Sequence, residues 1–253
     1  MARADWTEDA MVQQPAISQL INMGWQYTHA FDTEFKNGVS TLGRRTQHDV
    51  ILVNDLRPAL KRINPDVPDS VIEEAIARIQ QRGLNVDLIK ENERRYDEFL
   101  REPIRGLSGT NAQGKTQDYS VRVIDFKCIE NNTFHIVDEL WVANPINERK
   151  RPDLLAFING LPLVVFEFKS TNVDVEHAYT DNLCDYKDKI PHLFDYNALV
   201  VISNGHEALY GSITAPFNQF KQWKRNDEND PEPPVGENQQ PRLLAGLMQP
   251  KTL

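Results

Sequence analysis

The chain has 253 residues, of which 40% are hydrophobic and 26% charged, and its formal net charge is −9. This composition excludes a disordered chain, two cysteines are too few for a disulfide framework, and the acidic balance disfavours a protein that grips nucleic acid by itself. The N-terminus has no apolar segment, and no run of about 18 apolar residues occurs, so we expect a cytoplasmic protein without membrane contact.

Four helices are predicted in the N-terminal part, where apolar residues recur at helical spacing. They cover residues 8–23, 47–62, 71–82 and 84–101. Gly24 and Gly83 are typical of helix ends, and Asp69-Ser70 is typical of an N-cap. The first helix is predicted to have one apolar side, formed by Met11, Ile17, Leu20 and Ile21.

The second part of the chain has the composition and alternation of strands. Predicted strands cover 119–128 and 134–142, joined by a turn at 130–133, and then 198–203 and 208–213, with a hairpin between Asp153 and Lys169. A helix is predicted over 175–189. Helices that flank a mixed central sheet define an α/β or α+β fold.

We predict one domain over residues 1–225, with a helical part at about 8–101 and a sheet core at about 117–213. Residues 226–241 contain five acidic side chains, no basic ones and several prolines, which is typical of a flexible linker. Residues 242–253 would then begin a following region.

Residues 109–116 read GTNAQGKT and match the pattern of a phosphate-binding loop. That motif binds nucleotide only between a preceding strand and a following helix, where the helix N-terminus faces the phosphates. Here a charged helix precedes the segment and strand alternation follows it. We therefore predict a polar loop without a nucleotide site.

The most informative pattern is a pair of apolar runs joined by Asn159-Gly160. Asp153 precedes the first run, and Glu167 and Lys169 lie at the end of the second. Asn-Gly between such runs predicts a hairpin. Because side chains alternate along a strand, Glu167 and Lys169 share one face.

The turn decides where Asp153 lies. A strict two-residue loop would place Asp153 opposite Phe166 and facing away, whereas an odd loop or a bulge would place it opposite Glu167 and facing the same way. We predict an odd loop or a bulge.

Two carboxylates and an amine at one edge suit a divalent metal ion and a phosphodiester. Asp153 and Glu167 would provide carboxylate ligands for Mg²⁺, and the Phe168 carbonyl could add a third oxygen. Lys169 would orient or deprotonate a metal-bound water, or stabilise the transition state. The alternative is an ion pair that caps the strand end, because charges in so apolar a run need partners, and spacing alone leaves both open.

Further short motifs occur in order along the chain. They are Met23-Gly24-Trp25, Ile63-Asn64-Pro65, Val123-Ile124-Asp125-Phe126, Asn131-Asn132-Thr133-Phe134, Arg151-Pro152-Asp153, Asn159-Gly160-Leu161-Pro162, Glu167-Phe168-Lys169 and Val201-Ile202-Ser203. From about residue 8 to its end, the chain thereby resembles the N-terminal portion of the restriction (R) subunit of type I restriction-modification enzymes, with a nuclease site of the PD-(D/E)xK kind.

The resemblance implies a restriction-endonuclease-like core and Mg²⁺-dependent cleavage of double-stranded DNA, with Mn²⁺ as a possible substitute. Asp153, Glu167 and Lys169 match the family's catalytic residues. It also implies ATP-driven motor domains that this chain lacks, with residues 242–253 at their start. Methyltransferase and specificity subunits would be the partners.

The family's Gln-x-x-x-Tyr motif reads Asn182 to Tyr186 here, so Tyr is kept and Asn shortens the amide by one methylene. The resemblance implies that both side chains position DNA, although core packing of Tyr186 is equally open. Many such nucleases have an acid on the first helix. Gln13 and Gln14 occupy that place, with Glu8 a turn or more earlier, and no ligand is assigned there.

Two alternatives stay open. One is a stand-alone repair or resolvase nuclease of the same fold, which the acidic charge and the apparent continuation of the chain disfavour. The other is a coupling or assembly module that is inactive by itself, which the Asn182 substitution favours.

Overall fold

The computed structural model describes residues 9–83, 86–111, 113–231, 234 and 236–253. The α-helices of these residues are α1 (Gln14–Asn22), α2 (Val53–Ile63), α3 (Asp69–Gln80), α4 (Leu88–Arg95), α5 (Cys184–Lys189) and α6 (Gln240–Leu247). The strands are β1 (Gln26–His29), β2 (Ile104–Thr110), β3 (Thr116–Val121), β4 (Phe134–Asp138), β5 (Val142–Ala143), β6 (Arg149–Lys150), β7 (Leu154–Ile158), β8 (Leu161–Phe168), β9 (Leu199–Ser203), β10 (Ala208–Gly211) and β11 (Lys221–Gln222).

Seven of these strands form one mixed sheet in the order β1-β4-β7-β8-β9-β10-β11. The β1–β4 and β8–β9 pairs are parallel, and the other pairs are antiparallel. Every residue of β7 and β8 is buried, as expected for central strands covered on both faces. The predicted class, a mixed sheet flanked by helices, is confirmed.

Three of the predicted N-terminal helices are confirmed within a few residues, since π-helical turns at Asp9–Gln13 and Tyr96–Arg101 extend α1 and α4. The prediction for 47–62 was wrong at its start, because α2 begins only at Val53. Leu52 N–H instead donates to the Gly160 carbonyl at 2.9 Å. The predicted apolar side of α1 was wrong at Met11 and Ile21, which are exposed, because the buried stripe runs through Val12, Ala16 and Leu20.

The strand predictions for the middle of the chain need larger corrections. Residues 122–128 are not a strand, and β3 pairs with β2 in a separate hairpin and not with 134–142. The predicted strand over 134–142 breaks after Asp138, because Glu139 has a φ of 55°. The helix predicted over 175–189 is confirmed from Ala178, as a π-helical turn at Ala178–Leu183 followed by α5. The strands predicted over 198–203 and 208–213 are confirmed as β9 and β10.

The β7–β8 hairpin combines a two-residue turn with a bulge. Ile158 pairs with Leu161 across Asn159-Gly160, whose φ values of 51° and 78° are those of a type I′ turn. The register then shifts, so that Ala156 pairs with Val164 and Leu154 with Phe166. The extra residue is Leu163. The predicted bulge is confirmed, and it places Asp153 level with Glu167.

The turn is fixed from two sides. The buried Asn159 side chain accepts from Thr133 N–H at 2.7 Å and donates to the Val123 carbonyl at 2.8 Å. Gly160 lies against the start of α2, where an added Cβ would be 2.3 Å from the Leu52 carbonyl oxygen. Only glycine fits this position.

Gly160→Ala is expected to destabilise the protein by about 3 kcal/mol or more, because the left-handed backbone and the clash with Leu52 add. Urea unfolding measures the change. Gly114→Ala is the matched control, since Gly114 also has a positive φ, of 79°, but no atom within 4 Å of a Cβ. It should cost only about 1–2 kcal/mol. Equal losses in both variants would contradict the clash with Leu52.

Helix α6 joins the first helix to the sheet. The buried Gln240 amide donates to the Val12 carbonyl at 2.9 Å and accepts from the Ser203 hydroxyl at 2.8 Å. Trp25 Nε1 donates to the Met248 carbonyl at 3.1 Å. The domain division at residues 225 and 241 stays a prediction. None of the described helices is both long and apolar enough to cross a membrane.

A polar cluster around the buried Asp195 lies between the end of α3 and the segment after α5. Asp195 Oδ2 accepts from Arg82 Nε at 2.7 Å, and His192 lies beside it. Burial raises the pKa of Asp195 to about 6, against the opposing effect of Arg82. Burial, with the charge of Arg82, lowers the pKa of His192 to about 4. The cluster therefore contains two groups with opposite effects on stability below neutral pH.

His192 stabilises the fold above pH 6.5, and this contribution is lost as the pH falls through 4, because the folded state disfavours the protonated ring. Asp195 acts in the opposite sense, since its contribution is largest below pH 3.8 and is lost as the pH rises through 6. In His192→Asn, the acid-induced loss of unfolding free energy should be smaller than in the wild type, by up to about 3 kcal/mol at pH 4.

Urea unfolding at pH values from 4 to 7 measures this difference. The control is His206→Asn, which removes an exposed histidine. The same pH dependence in His192→Asn as in the wild type would show that His192 is not buried as a neutral ring.

Candidate active site

One edge of the sheet gathers acidic side chains. The carboxyl ends of β1, β4, β8 and β9 meet there with the amino end of β7. The acids are Asp138 at the end of β4, Glu139 after it, Asp153 before β7 and Glu167 near the end of β8. We call these four residues the acidic edge.

Asp153 is fixed through both its side chain and its main chain. Its Oδ2 accepts from Phe168 N–H at 2.7 Å. Its carbonyl accepts from the Gln13 side chain at 3.1 Å and from Glu139 N–H at 3.2 Å. The Asp153 carboxylate therefore has a defined place beside the end of β8.

Glu167 and Lys169 lie next to Asp153. The Glu167 residue is 2% exposed, and its Oε1 is 3.7 Å from Lys169 Nζ. Lys169 Nζ donates to Asn182 Oδ1 at 2.7 Å, and Lys169 N–H donates to the Ser203 carbonyl at 2.8 Å. The structure thus brings together the three residues that the sequence pattern singled out, and their catalytic roles stay a prediction.

The Phe168 main chain faces the same place. Its N–H points to Asp153, and the N–H and C=O groups of one strand residue point to the same side. The Phe168 carbonyl therefore lies on the Asp153 side of β8, as the predicted ligand set requires.

Asn182 and Tyr186 lie one helical turn apart behind Lys169. Asn182 Nδ2 donates to the Tyr186 hydroxyl at 3.4 Å, and that hydroxyl donates to the Arg151 carbonyl at 3.4 Å. Burial, and then the negative charge of Glu167, raises the pKa of Tyr186 far above its usual value. Tyr186 is therefore a neutral, buried residue that packs in the core and also contacts the site.

Sequence reasoning missed other residues of this edge. Burial and the neighbouring Asp138 raise the pKa of Glu139, which pairs with Arg151 at 2.7 Å. Asp138 is buried and accepts from His29 Nδ1 at 3.0 Å. Both acids were missed because the sequence predicts one continuous strand over 134–142, whereas β4 ends at Asp138. Gln13 contacts the main chain of Asp153, and Glu8 lies outside the described residues.

The donor set fits a hard divalent cation. Mg²⁺ is usually held by one or two carboxylates together with waters and substrate phosphate, and Asp153, Glu167 and the Phe168 carbonyl supply such oxygens. Across the described part of the chain, no three His, Cys, Asp or Glu side chains are gathered to hold a metal ion.

The segment with the phosphate-loop pattern is the tip of the β2–β3 hairpin. Gly109 and Thr110 lie in β2, Thr116 begins β3, and the two strands pair directly. A strand therefore precedes the loop, which the sequence did not predict. An antiparallel strand and not a helix follows it, so the context of a nucleotide-binding loop is absent. Ala112 lies outside the described residues.

A mixed sheet whose bulged hairpin brings Asp153, Glu167 and Lys169 together defines a restriction-endonuclease-like core. More specifically, the chain belongs to the family described as Type I restriction enzyme R protein N terminus (HSDR_N), which it matches over residues 5–219.

Two relatives show the extent of the similarity. The Type I restriction enzyme HindI endonuclease subunit of Haemophilus influenzae is 32% identical over 246 residues, which cover 96% of this chain and 23% of that protein. The Methanocaldococcus jannaschii protein named "Putative type I restriction enzyme MjaIXP endonuclease subunit" is 32% identical over 235 residues, which cover 90% of this chain and 21% of that protein. The chain spans less than a quarter of the length of these curated relatives.

Proposed function

We propose that this chain is the nuclease part of the restriction subunit of a type I restriction-modification enzyme and hydrolyses phosphodiester bonds of double-stranded DNA with Mg²⁺. The observation that carries the proposal is the bond from Phe168 N–H to Asp153 Oδ2. It places one carboxylate beside Glu167 and Lys169 at the end of a buried strand. Family membership supports the same function.

Asp153, Glu167 and the Phe168 carbonyl would hold the Mg²⁺, and Mn²⁺ would substitute for it. When bound, the ion lowers the pKa of a coordinated water and neutralises charge on the phosphate. The protein fixes the ligands in advance, because Gln13 and Glu139 hold the Asp153 main chain. Burial of Glu167 keeps its carboxylate away from competing solvent.

Lys169 would act on the attacking water or on the negative charge that develops on the phosphate. Its ammonium group is held by Asn182 and lies within 3.7 Å of Glu167. Asn182 is thus a positioning residue for Lys169, and Tyr186 orients Asn182 in turn. The shorter Asn side chain still reaches the lysine.

The remaining steps would belong to other parts of the enzyme. ATP-driven motor domains would move the DNA. Methyltransferase and specificity subunits would recognise the DNA sequence. The net charge of −9 supports this division, because a chain of this charge holds DNA weakly by itself.

Asp153→Asn, Glu167→Gln and Lys169→Ala should each lower DNA cleavage by the assembled enzyme at least about 100-fold, because each removes a ligand or a charge from the transition state. ATP-driven translocation should continue. The control is Lys115→Ala, an exposed lysine of the β2–β3 loop, which should leave both cleavage and ATP hydrolysis unchanged. Near-normal cutting by any of the three variants would overturn the site assignment.

Asn182→Ala should lower the single-turnover rate of cleavage about 10–100-fold, the range typical of residues that orient a functional group. Its affinity for Mg²⁺ should stay unchanged, because Asn182 holds Lys169, which is not a proposed metal ligand. Thr180→Ala, an exposed change in the same helical segment, is the control. An equal loss of metal affinity and rate would indicate collapse of the site and not misplacement of Lys169.

A further inference from the structure

A group of flat side chains lies beside the acidic edge and has no role in the proposed cleavage chemistry. Phe31 follows β1, and Trp141 lies between β4 and β5. Arg149 begins β6, and Arg151 follows it, two residues before Asp153. We call Phe31, Trp141, Arg149 and Arg151 the aromatic ledge.

The four side chains are stacked on one another. The Phe31 and Trp141 rings are 6.4 Å apart between centroids, with planes inclined by 32°. Arg151 Cζ lies 4.6 Å from the Phe31 centroid and 5.1 Å from the Trp141 centroid. Arg149 Cζ lies 5.6 Å from the Trp141 centroid. Such distances are those of cation–π contacts.

The ledge is held in place from below, yet it is open to solvent. Arg151 Nη1 pairs with Glu139 at 2.7 Å, and the buried Arg44 donates to the Trp141 carbonyl at 2.8 Å. Phe31 nevertheless remains 47% exposed, and Arg149 is exposed as well. A fixed aromatic surface that stays open to water is typical of a binding surface.

Arg149 and Arg151 of the ledge also belong to the densest run of positive charge in the sequence. Arg149, Lys150 and Arg151 are the only three consecutive basic residues in a chain with a net charge of −9. Lys150 pairs with Asp185 and Arg151 with Glu139, whereas Arg149 extends over the Trp141 ring. Guanidinium groups in this position suit phosphate oxygens.

The aromatic ledge lies close to the proposed nuclease site. Phe31 follows β1, which is two strands from β7, and neighbouring strands are about 4.8 Å apart. The end of β1, next to Phe31, is therefore roughly 10 Å from β7 along the sheet edge.

We propose that the aromatic ledge stacks an unpaired base of the DNA strand, beside the phosphate that is cut. The proposal rests on the proposed nuclease function. A paired base is stacked within the duplex, and only an unpaired base can offer its face to an aromatic ring. The enzyme would thereby engage DNA that is locally opened beside the cleavage site.

The test measures binding of the 253-residue chain to fluorescein-labelled DNA in EDTA, where no metal-dependent cleavage occurs. Three probes of about 20 nucleotides per strand, longer than a typical single-strand site, are compared: oligothymidylate, a forked duplex and a fully paired duplex. Phe31→Ala and Trp141→Ala should each weaken binding of the single strand and the fork about tenfold. Trp141→Phe, which keeps a flat ring, should retain most of the affinity.

Phe126→Ala is the matched control, because Phe126 is 59% exposed and lies near the Asn159-Gly160 turn, at the opposite edge of the sheet. It should bind all three probes as the wild type does. Unfolding transitions of all variants establish that they are folded.

Equal losses for paired and unpaired probes, or none, would overturn the proposal, as would failure of the wild type to bind any probe at low salt, where protein contacts with phosphates are strongest. The first result would indicate phosphate contacts alone, and the last would indicate a surface covered by another part of the enzyme. The nuclease proposal fails separately, since it depends on cleavage by the Asp153, Glu167 and Lys169 variants and not on binding in EDTA.

Discussion

The register of the β7–β8 hairpin is the constraint on which the rest of this site depends. The type I′ turn at Asn159-Gly160 alone would place Asp153 opposite Phe166, on the wrong face of the sheet. The single extra residue at Leu163 corrects the parity and places Asp153 beside Glu167. The contact between Asp153 and Phe168 N–H follows from that one-residue shift.

The same hairpin explains why the site is tied to the core. Glu167 lies in a strand whose residues are all buried, and a buried carboxylate is costly unless it is paired or hydrogen-bonded. Lys169 and Tyr186 surround it, and Tyr186 keeps its proton. The geometry of the site therefore depends on the packing of the sheet. A change in packing behind β8 would move Glu167 relative to Lys169 and Tyr186.

The relative positions of Asp153, Glu167 and Lys169 could be predicted from the sequence because two local patterns agree there. Asn-Gly fixes the turn, and the alternation of a strand fixes which side chains accompany Glu167. Sequence-based prediction failed where distant contacts override local preference. Residues 47–52 have a helical pattern, but Leu52 gives its N–H to Gly160 across the fold. Strand β1 is only four residues long, and its residues are exposed or half-buried, so no alternation marks it.

The surroundings of the site could not be predicted for a related reason. The positive φ of Glu139 ends β4 at Asp138, and no sequence pattern predicts it. The contact of Lys169 with Asn182 crosses from a strand to a helix, and only the family resemblance suggested it. The sequence predicts Gln13 on the first helix, but its bond to the Asp153 carbonyl depends on how the π-helical turn before α1 packs.

The position of Gln240 has a mechanical consequence. Its amide bonds the Val12 carbonyl on one side and the Ser203 hydroxyl on the other. Val12 is the neighbour of Gln13, which holds Asp153, and the Ser203 carbonyl holds the main chain of Lys169. The Gln240 side chain thus holds both the segment that contacts Asp153 and the strand that contacts Lys169. A displacement of α6 would therefore disturb the main chain next to both Asp153 and Lys169, so the position of this helix is coupled to the geometry of the site.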